Sequence, residues 1–118
     1  MVVDTVDERQ ADVLFHALAD ATRRDIVRRA VVGDQSVSAL ARNYPMSFAA
    51  VQKHVAVLER AGLVTKERSG REQLVKTEIE TIRQANRLLE EFEVVWRSRI
   101  DRLEEILSEP DRGDETCP

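Results

Sequence analysis

The sequence predicts a mostly α-helical fold with a small β-hairpin, about five helices in all. Apolar residues recur at steps of three and four along much of the 118-residue chain, as they do on the buried face of a helix. The exception is residues 63–78, LVTKERSGREQLVKTE, which alternate around a central Ser69-Gly70 as in a hairpin. The length fits a single domain with a modest core.

Composition and charge exclude several classes of protein. The chain is 42% hydrophobic and 34% charged, which is typical of a soluble globular domain. No apolar run approaches the length of a membrane span, and residues 1–20 are acidic where a signal peptide is basic. The single cysteine, Cys117, has no partner for an internal disulfide. We therefore expect a cytoplasmic protein that does not contact a membrane.

Three helices are predicted before residue 46. The first starts after Asp7 and runs to about Ala19, with Val13, Leu14, Ala17 and Leu18 on its apolar stripe. Asp20 can cap the second, which ends at Gly33 and directs Ile26, Val27, Ala30 and Val31 inward. Ser36-Val37 is predicted as a short strand, with Ser38 capping a third helix. The sequence leaves open whether four arginines of the second helix touch phosphate: Arg23, Arg24, Arg28 and Arg29.

The fourth helix organises the chain. Ser47 is a good N-cap and Gly62 suits the left-handed C-terminal stop. Val51, Val55 and Leu58 form an apolar stripe between them. The first turns of this helix direct hydrogen-bonding groups away from the stripe, as in a helix that reads base edges in the major groove of DNA. The predicted recognition-helix residues are Ser47, Phe48, Ala49, Gln52, Lys53 and His54.

The hairpin is the second predicted DNA-binding element. Its tip and flanks carry Lys66, Arg68, Ser69, Gly70 and Arg71, with Lys76 near the base. Guanidinium groups beside a glycine turn can reach the DNA backbone or minor groove. The net charge of the chain is −4, but seven basic and three acidic residues lie between positions 42 and 76. The positive charge is therefore concentrated where DNA would bind.

A last helix of about thirty residues is predicted after Thr77. Thr77 and Glu80 have the spacing of a capping box. At about 45 Å, a helix of this length outruns so small a domain. Its outer apolar stripe needs another surface, for which a second copy is the simplest candidate. Residues 1–108 are predicted to form one DNA-binding and dimerisation domain, and residues 109–118 a disordered tail.

Helix, tight turn, second helix and basic hairpin form a winged helix-turn-helix pattern. From Ser47 to Thr77 the chain reads SxxAVxKHxxxLExAGLVxxxxxGRxxxxxxT, and residues 18–31 read LADATRRDIVRRAV. Both stretches resemble the ArsR/SmtB family of bacterial transcriptional regulators, and the similarity extends over residues 12–107. The resemblance implies a symmetric dimer built from the first and last helices. This agrees with the unpaired apolar stripe of the last helix, and the predicted interface residues are Val13, Leu14, Leu89, Phe92, Trp96, Ile100, Leu103 and Leu107.

Metal sensing is the best-known function of that family, and the sequence departs from it. Metal-sensing members carry a C-V-C pair where this chain has Ser36-Val37-Ser38. Hydroxyls are poor ligands for soft metals, which need thiolates. Other members use histidine and carboxylates on the last helix, which here contains no histidine. We therefore predict no metal site and no cofactor.

The resemblance and the charge distribution together predict a DNA-binding transcriptional regulator. The expected form is a homodimeric repressor that binds a pseudo-palindromic operator of double-stranded DNA. The alternative is a winged helix that serves as a protein-protein interaction module. No nucleotide-binding loop, nucleophile elbow or H-E-x-x-H motif indicates an enzyme. The effector, a small molecule or a protein, is not indicated by the sequence.

Overall fold

The computed structural model describes residues 7–108 of the chain. Five helices and three short strands lie within that range. In chain order they are α1 Glu8–Leu18, α2 Ala21–Val32, β1 Gln35–Ser36, α3 Val37–Ala41, α4 Phe48–Arg60, β2 Val64–Ser69, β3 Glu72–Thr77 and α5 Ile79–Leu107. The strands form an antiparallel sheet in the order β1-β3-β2. The predicted mostly helical fold with a small hairpin is therefore confirmed.

Helix starts follow the capping residues of the sequence. Asp7 accepts a hydrogen bond from the Gln10 amide at 2.7 Å, and Asp20 accepts one from the Arg23 amide at 3.0 Å. Ser47 caps α4 in the same way, and Gly62 beyond its end adopts a φ of 79°. Each cap satisfies an amide that the helix itself leaves without a partner. The predicted ends of α1, α2 and α4 are confirmed within a residue or two.

Other local predictions are wrong in whole or in part. Ser36, not Ser38, caps α3, because β1 ends at Ser36 and its Oγ lies 3.0 Å from the Ala39 amide. The predicted turn at the glycine is confirmed, but Ser69 pairs with Glu72, so the turn residues are Gly70-Arg71 and the centre lies one residue later than Ser69-Gly70. Gly70 has a φ of 64°, as the first position of a type II′ turn requires.

The predicted capping box of α5 is also wrong. Thr77 pairs with Val64 as the last residue of β3. Its Oγ1 is buried without a hydrogen-bond partner among the described residues. The amide of Thr81 instead bonds to the carbonyl of Glu78 at 3.2 Å. Strand pairing holds Thr77 in extended backbone one residue too early to cap the helix.

The chain divides into two compact units, with the boundary between Ala85 and Asn86. In the first unit, all five helices and the sheet contribute to one apolar core, which includes Leu14, Ile26, Leu40, Val51, Val55, Leu58, Leu63, Val64 and Val75. The prediction that Val31 faces the core is wrong, since this residue is 54% exposed. It lies about 140° around α2 from the buried Ile26.

The second unit contains the rest of α5, up to Leu107. Most of its apolar side chains are exposed, among them Leu89, Phe92 and Trp96. No helix in residues 7–108 is long and apolar enough to cross a membrane. The predicted disordered tail, residues 109–118, lies outside the described residues, as does Cys117.

Candidate nucleic-acid interface

Helix α4 separates an apolar face from a polar one. Val51, Val55 and Leu58 are almost completely buried in the core. Gln52 and Lys53 are exposed, as predicted from their place outside the stripe. Ser47, Phe48 and Ala49 are also exposed at the start of the helix. The N-terminal half of α4 therefore presents one amide, one ammonium and one hydroxyl group to solvent.

His54 occupies a different environment from its neighbours. Its side chain is only 22% exposed. Its Nδ1 lies 3.3 Å from Nη1 of Arg23 and 3.9 Å from Oδ2 of Asp20. A guanidinium group can only donate, so we assign Nδ1 as the acceptor and place the proton of a neutral ring on Nε2. The predicted outward orientation is therefore wrong for the Nδ1 edge of His54, which faces the start of α2.

Arg23 connects three helices at this point. Its Nε donates to the carbonyl oxygen of Ala17 at 2.7 Å, and its Nη2 donates to that of His16 at 3.0 Å. These carbonyls lie at the C-terminal end of α1, where a cation is favoured by the helix dipole. Hydrogen bonding from the Arg23 amide lowers the pKa of Asp20. Arg23 thus positions α4 against α1 and α2 through His54.

The other arginines of α2 are also engaged within the chain. Arg28 and Arg29 form ion pairs with Asp25 at 3.1 and 2.8 Å. Arg24 donates to the carbonyl oxygen of Leu18 at 2.8 Å. These contacts fix the arginine side chains within the chain, but among the described residues only Arg28 and Arg29 have a carboxylate partner, which they share, so α2 keeps a net positive charge.

Tyr44 joins the loop before α4 to the same carboxylate. Its hydroxyl donates to Oδ2 of Asp25 at 2.7 Å, and this bond lowers the pKa of Asp25. Burial and the nearby Asp25 carboxylate raise the pKa of Tyr44 to about 12. The sequence contains no signal for this contact, because the partners are 19 residues apart and belong to no recognisable motif.

The hairpin divides its cations between base and tip. Lys66, predicted to flank the tip, lies opposite Val75 in mid-strand, three residues before the end of β2, and its Nζ is 3.5 Å from Glu59 of α4. Near the base, Lys76 lies 2.7 Å from Glu67 and 3.7 Å from Asp34. The Glu67 carboxylate raises the pKa of Lys76. Both lysines are therefore neutralised by neighbours.

The tip keeps its charge available. Arg68 contacts only the carbonyl oxygen of Gly70, at 3.3 Å, and remains exposed. Arg71 is exposed and forms no hydrogen bond or ion pair with any of residues 7–108. Ser69 and Gly70 are exposed between them. The structure thus brings two guanidinium groups to the end of the wing.

The residues predicted for a dimer interface are distributed unevenly. Leu14 is 2% exposed and belongs to the core of its own chain, whereas Val13 beside it is 42% exposed. In the second unit, Phe92 is 63% and Trp96 55% exposed, and the Arg99 guanidinium lies 5.8 Å from the centroid of the Trp96 ring. Three further exposed apolar residues were missed because they lie off the main stripe: Val94, Val95 and Ile106.

Metal-ligating groups do not cluster in the described chain. Within residues 7–108, no group of three or more His, Cys, Asp or Glu side chains could hold a metal ion. At the position of the C-V-C pair, the Ser36 hydroxyl caps α3.

The fold and this surface define a winged helix-turn-helix protein, with α3 and α4 as the helix pair and β2-β3 as the wing. An ArsR family transcriptional regulator of known structure, RHA00566, is 31% identical. It matches 80% of this chain and 97% of its own, with a TM-score of 0.75. The chain belongs to the ArsR family of transcriptional regulators.

Two further comparisons are more limited. The HTH-type transcriptional regulator Rv2034 of Mycobacterium tuberculosis is 45% identical over 62 residues, or 52% of this chain and 58% of that protein. The homodimeric winged helix-turn-helix DNA-binding domain Mb0332 of Mycobacterium bovis shares the fold at 24% identity. It covers 75% of this chain and 80% of its own, with a TM-score of 0.59. No family model matches the sequence.

Proposed function

We propose that this chain is a sequence-specific DNA-binding repressor that acts as a homodimer on a pseudo-palindromic operator. The observation that carries the proposal is the surface formed by α4 and the wing. Gln52 and Lys53 are exposed on α4, and Arg71 at the tip of the wing has no partner among residues 7–108. Repression follows when the bound dimer occupies promoter DNA, without any catalytic step.

Each group on this surface has a role suited to its chemistry. The Gln52 amide can pair bidentately with an adenine edge, so we assign it to base readout. Lys53 supplies a point charge for phosphate. His54 donates from Nε2, since its Nδ1 is engaged by Arg23, and we assign that donor to a phosphate oxygen. Ser47, Phe48 and Ala49 form the end of the helix that enters the groove first.

The wing has a supporting role. Arg68 and Arg71 are long, charged and exposed, and they flank a tight glycine turn. Such groups read charge and groove width rather than base sequence. Lys66 and Lys76 are held by carboxylates of their own chain, so we assign them no DNA contact.

The dimer is supported by the apolar surface of α5. Leu89, Phe92, Trp96, Leu103 and Leu107 are exposed in the chain, although such residues are normally covered in a folded protein. Val13 adds an exposed apolar position on α1. A neighbour with the same fold is described as homodimeric. A two-fold axis would present two α4 helices to two half-sites, which is why the operator is expected to be pseudo-palindromic.

The test is a mobility-shift titration of the protein against DNA from its own promoter, with scrambled DNA of equal length as the control. A repressor binds the promoter at nanomolar concentrations with at least a hundredfold preference over the scrambled sequence. Equal, weak binding to both DNAs would contradict the proposal. That result would favour the protein-interaction alternative, which the exposed apolar side chains of α5 also support.

A further inference from the structure

A cavity of about 460 Å³ lies in the first unit, on the side of α4 away from its N-terminal end. Three elements surround it. Asp7, Arg9 and Gln10 contribute from the start of α1, residues 60–62 from the end of α4, and Thr81 and Gln84 from the first turns of α5. The DNA-binding proposal makes no use of these polar groups.

The charge of the lining is positive. Arg9 and Arg60 come from two different helices, and neither guanidinium group forms an ion pair or hydrogen bond with any of residues 7–108. This contrasts with α2, where Asp25 pairs with two arginines. Among residues 7–108, the one carboxylate of the lining is Asp7, which already accepts the Gln10 amide at 2.7 Å. Within the described part of the chain, two guanidinium groups without a partner and one helix-capping carboxylate give the lining a net positive charge, which favours an anion.

The rest of the lining combines hydrogen-bonding and apolar groups. Gln10, Thr81 and Gln84 offer two amides and a hydroxyl, whereas Val13 and Leu14 form an apolar wall. Gly62 allows a close approach here, because a Cβ at that position would lie 3.3 Å from Oγ1 of Thr81. The cavity volume is within the range of small-molecule sites.

We infer that this cavity binds a small organic carboxylate with an apolar body. A guanidinium group matches a carboxylate in charge and geometry, and two of them hold it in a defined orientation. The apolar wall favours such a ligand over an inorganic anion. Because Arg60 lies in the last turn of α4, the ligand contacts the same helix that carries Gln52. Occupancy therefore changes DNA affinity, a consequence that rests on the proposed function.

The first test measures binding alone, with benzoate as the probe. Calorimetric titration of the full chain should show one saturable site per chain, with benzamide and inorganic phosphate each binding at least tenfold more weakly. Amide signals of residues 9–14, 60–62 and 81–84 should shift most in NMR spectra. Arg60→Gln should weaken benzoate binding at least tenfold, whereas the matched control Arg102→Gln, on the second unit, should not.

Two results would overturn the inferred site. One is equal affinity for benzoate and benzamide, which would show that the guanidinium groups take no part. The other is equal weakening by Arg60→Gln and Arg102→Gln, which would indicate scattered binding to surface arginines. Arg60 is exposed, so its replacement should leave the fold intact, and a circular dichroism melt checks this.

The second test addresses regulation. Saturating benzoate should change promoter affinity at least threefold in the wild type and not in Arg60→Gln. Benzoate binding without any change in DNA affinity would overturn the regulatory half of the inference. A protein that binds benzoate but no promoter DNA would contradict the proposed function and leave the binding site standing.

Discussion

Helix α4 and the part of α5 after Ala85 carry apolar stripes of similar spacing, but only one of these stripes is covered. Val51, Val55 and Leu58 of α4 are buried by other elements of the first unit. Phe92 and Trp96 of α5 remain more than half exposed. Equal periodicity thus predicts a helix in both cases and says nothing about its partner. The difference shows that the α4 stripe stabilises the chain itself, and it supports the proposal that the α5 stripe is a surface for association.

The largest effect should come from placing charge on the exposed stripe. Phe92→Glu combined with Trp96→Glu should convert a dimer into a monomer, because four buried carboxylates would face each other across the two-fold axis. Sedimentation velocity at micromolar concentration measures this. Ser98→Glu, which lies roughly opposite the stripe on the helix, is the matched control and should remain dimeric. A wild-type protein that sediments as a monomer would contradict the proposal that the α5 stripe is a surface for association.

Replacing a leucine with alanine should lower the free energy of unfolding much more in the α4 stripe than in the α5 stripe. Leu58→Ala should lower the free energy of unfolding by about 2–5 kcal/mol, because it opens a cavity in a closed core. Leu103→Ala should cost less than about 1 kcal/mol when both are measured in the monomeric background. Urea unfolding followed by circular dichroism gives both values. Similar costs would mean that the exposed stripe is also packed within the chain.

The polar face of α4 should determine which DNA is bound. Gln52→Ala should cost about 1–3 kcal/mol on the cognate site and relax the preference at one position per half-site. The affinity of this variant for scrambled DNA should fall only slightly, since a neutral amide contributes little to phosphate binding. Titration by fluorescence anisotropy on cognate and on scrambled DNA measures the two losses of affinity separately. Equal losses on both would remove Gln52 from base readout.

The Tyr44-Asp25 hydrogen bond, which joins the loop before α4 to α2, should contribute to the stability of the fold. Tyr44→Phe should lower the free energy of unfolding by about 1–2 kcal/mol, because a hydrogen bond to a carboxylate is lost. The pKa of Asp25 is lowered in the folded state, so its contribution is present above the ordinary value of 3.8 and is lost as the pH falls. The pKa of Tyr44 is raised from 10.0 to about 12, so its contribution is lost as the pH rises through that range.

Unfolding curves of the wild type and Tyr44→Phe, measured from pH 2 to pH 12, test this pH dependence. The difference in free energy of unfolding between the two proteins should be constant from about pH 5 to pH 9 and should shrink on both sides. A difference that does not change with pH would assign the effect to packing of the tyrosine ring.

The smallest effect should come from the wing. Arg71→Ala should weaken binding to every DNA sequence by a similar factor and reduce the slope of log affinity against log salt by roughly one unit. Lys76→Ala is the control, because Glu67 and Asp34 already neutralise that lysine. Titration at several salt concentrations measures both slopes. If Arg71→Ala altered the base preference instead, the roles of wing and α4 would be reversed.

Local chemistry in the sequence determined much of the fold. The capping residues Asp7, Asp20 and Ser47 were recognisable because their side chains bond to amides three residues away. The period of apolar residues placed the helices, and alternation around a glycine placed the hairpin. The exposed positions Gln52, Lys53 and Arg71 followed from the same patterns. These features depend on contacts within a few residues, which a sequence displays directly.

Only the tertiary structure decided which polar groups are free. Arg23 and His54 are 31 residues apart, and Tyr44 and Asp25 are 19 apart, yet each pair is in contact. Lys66 and Arg71 look equivalent in the sequence, but Glu59 of another element neutralises one and not the other. Leu14 and Phe92 both lie on apolar stripes, and packing covers only the first. Such outcomes depend on long-range contacts, which no local pattern encodes.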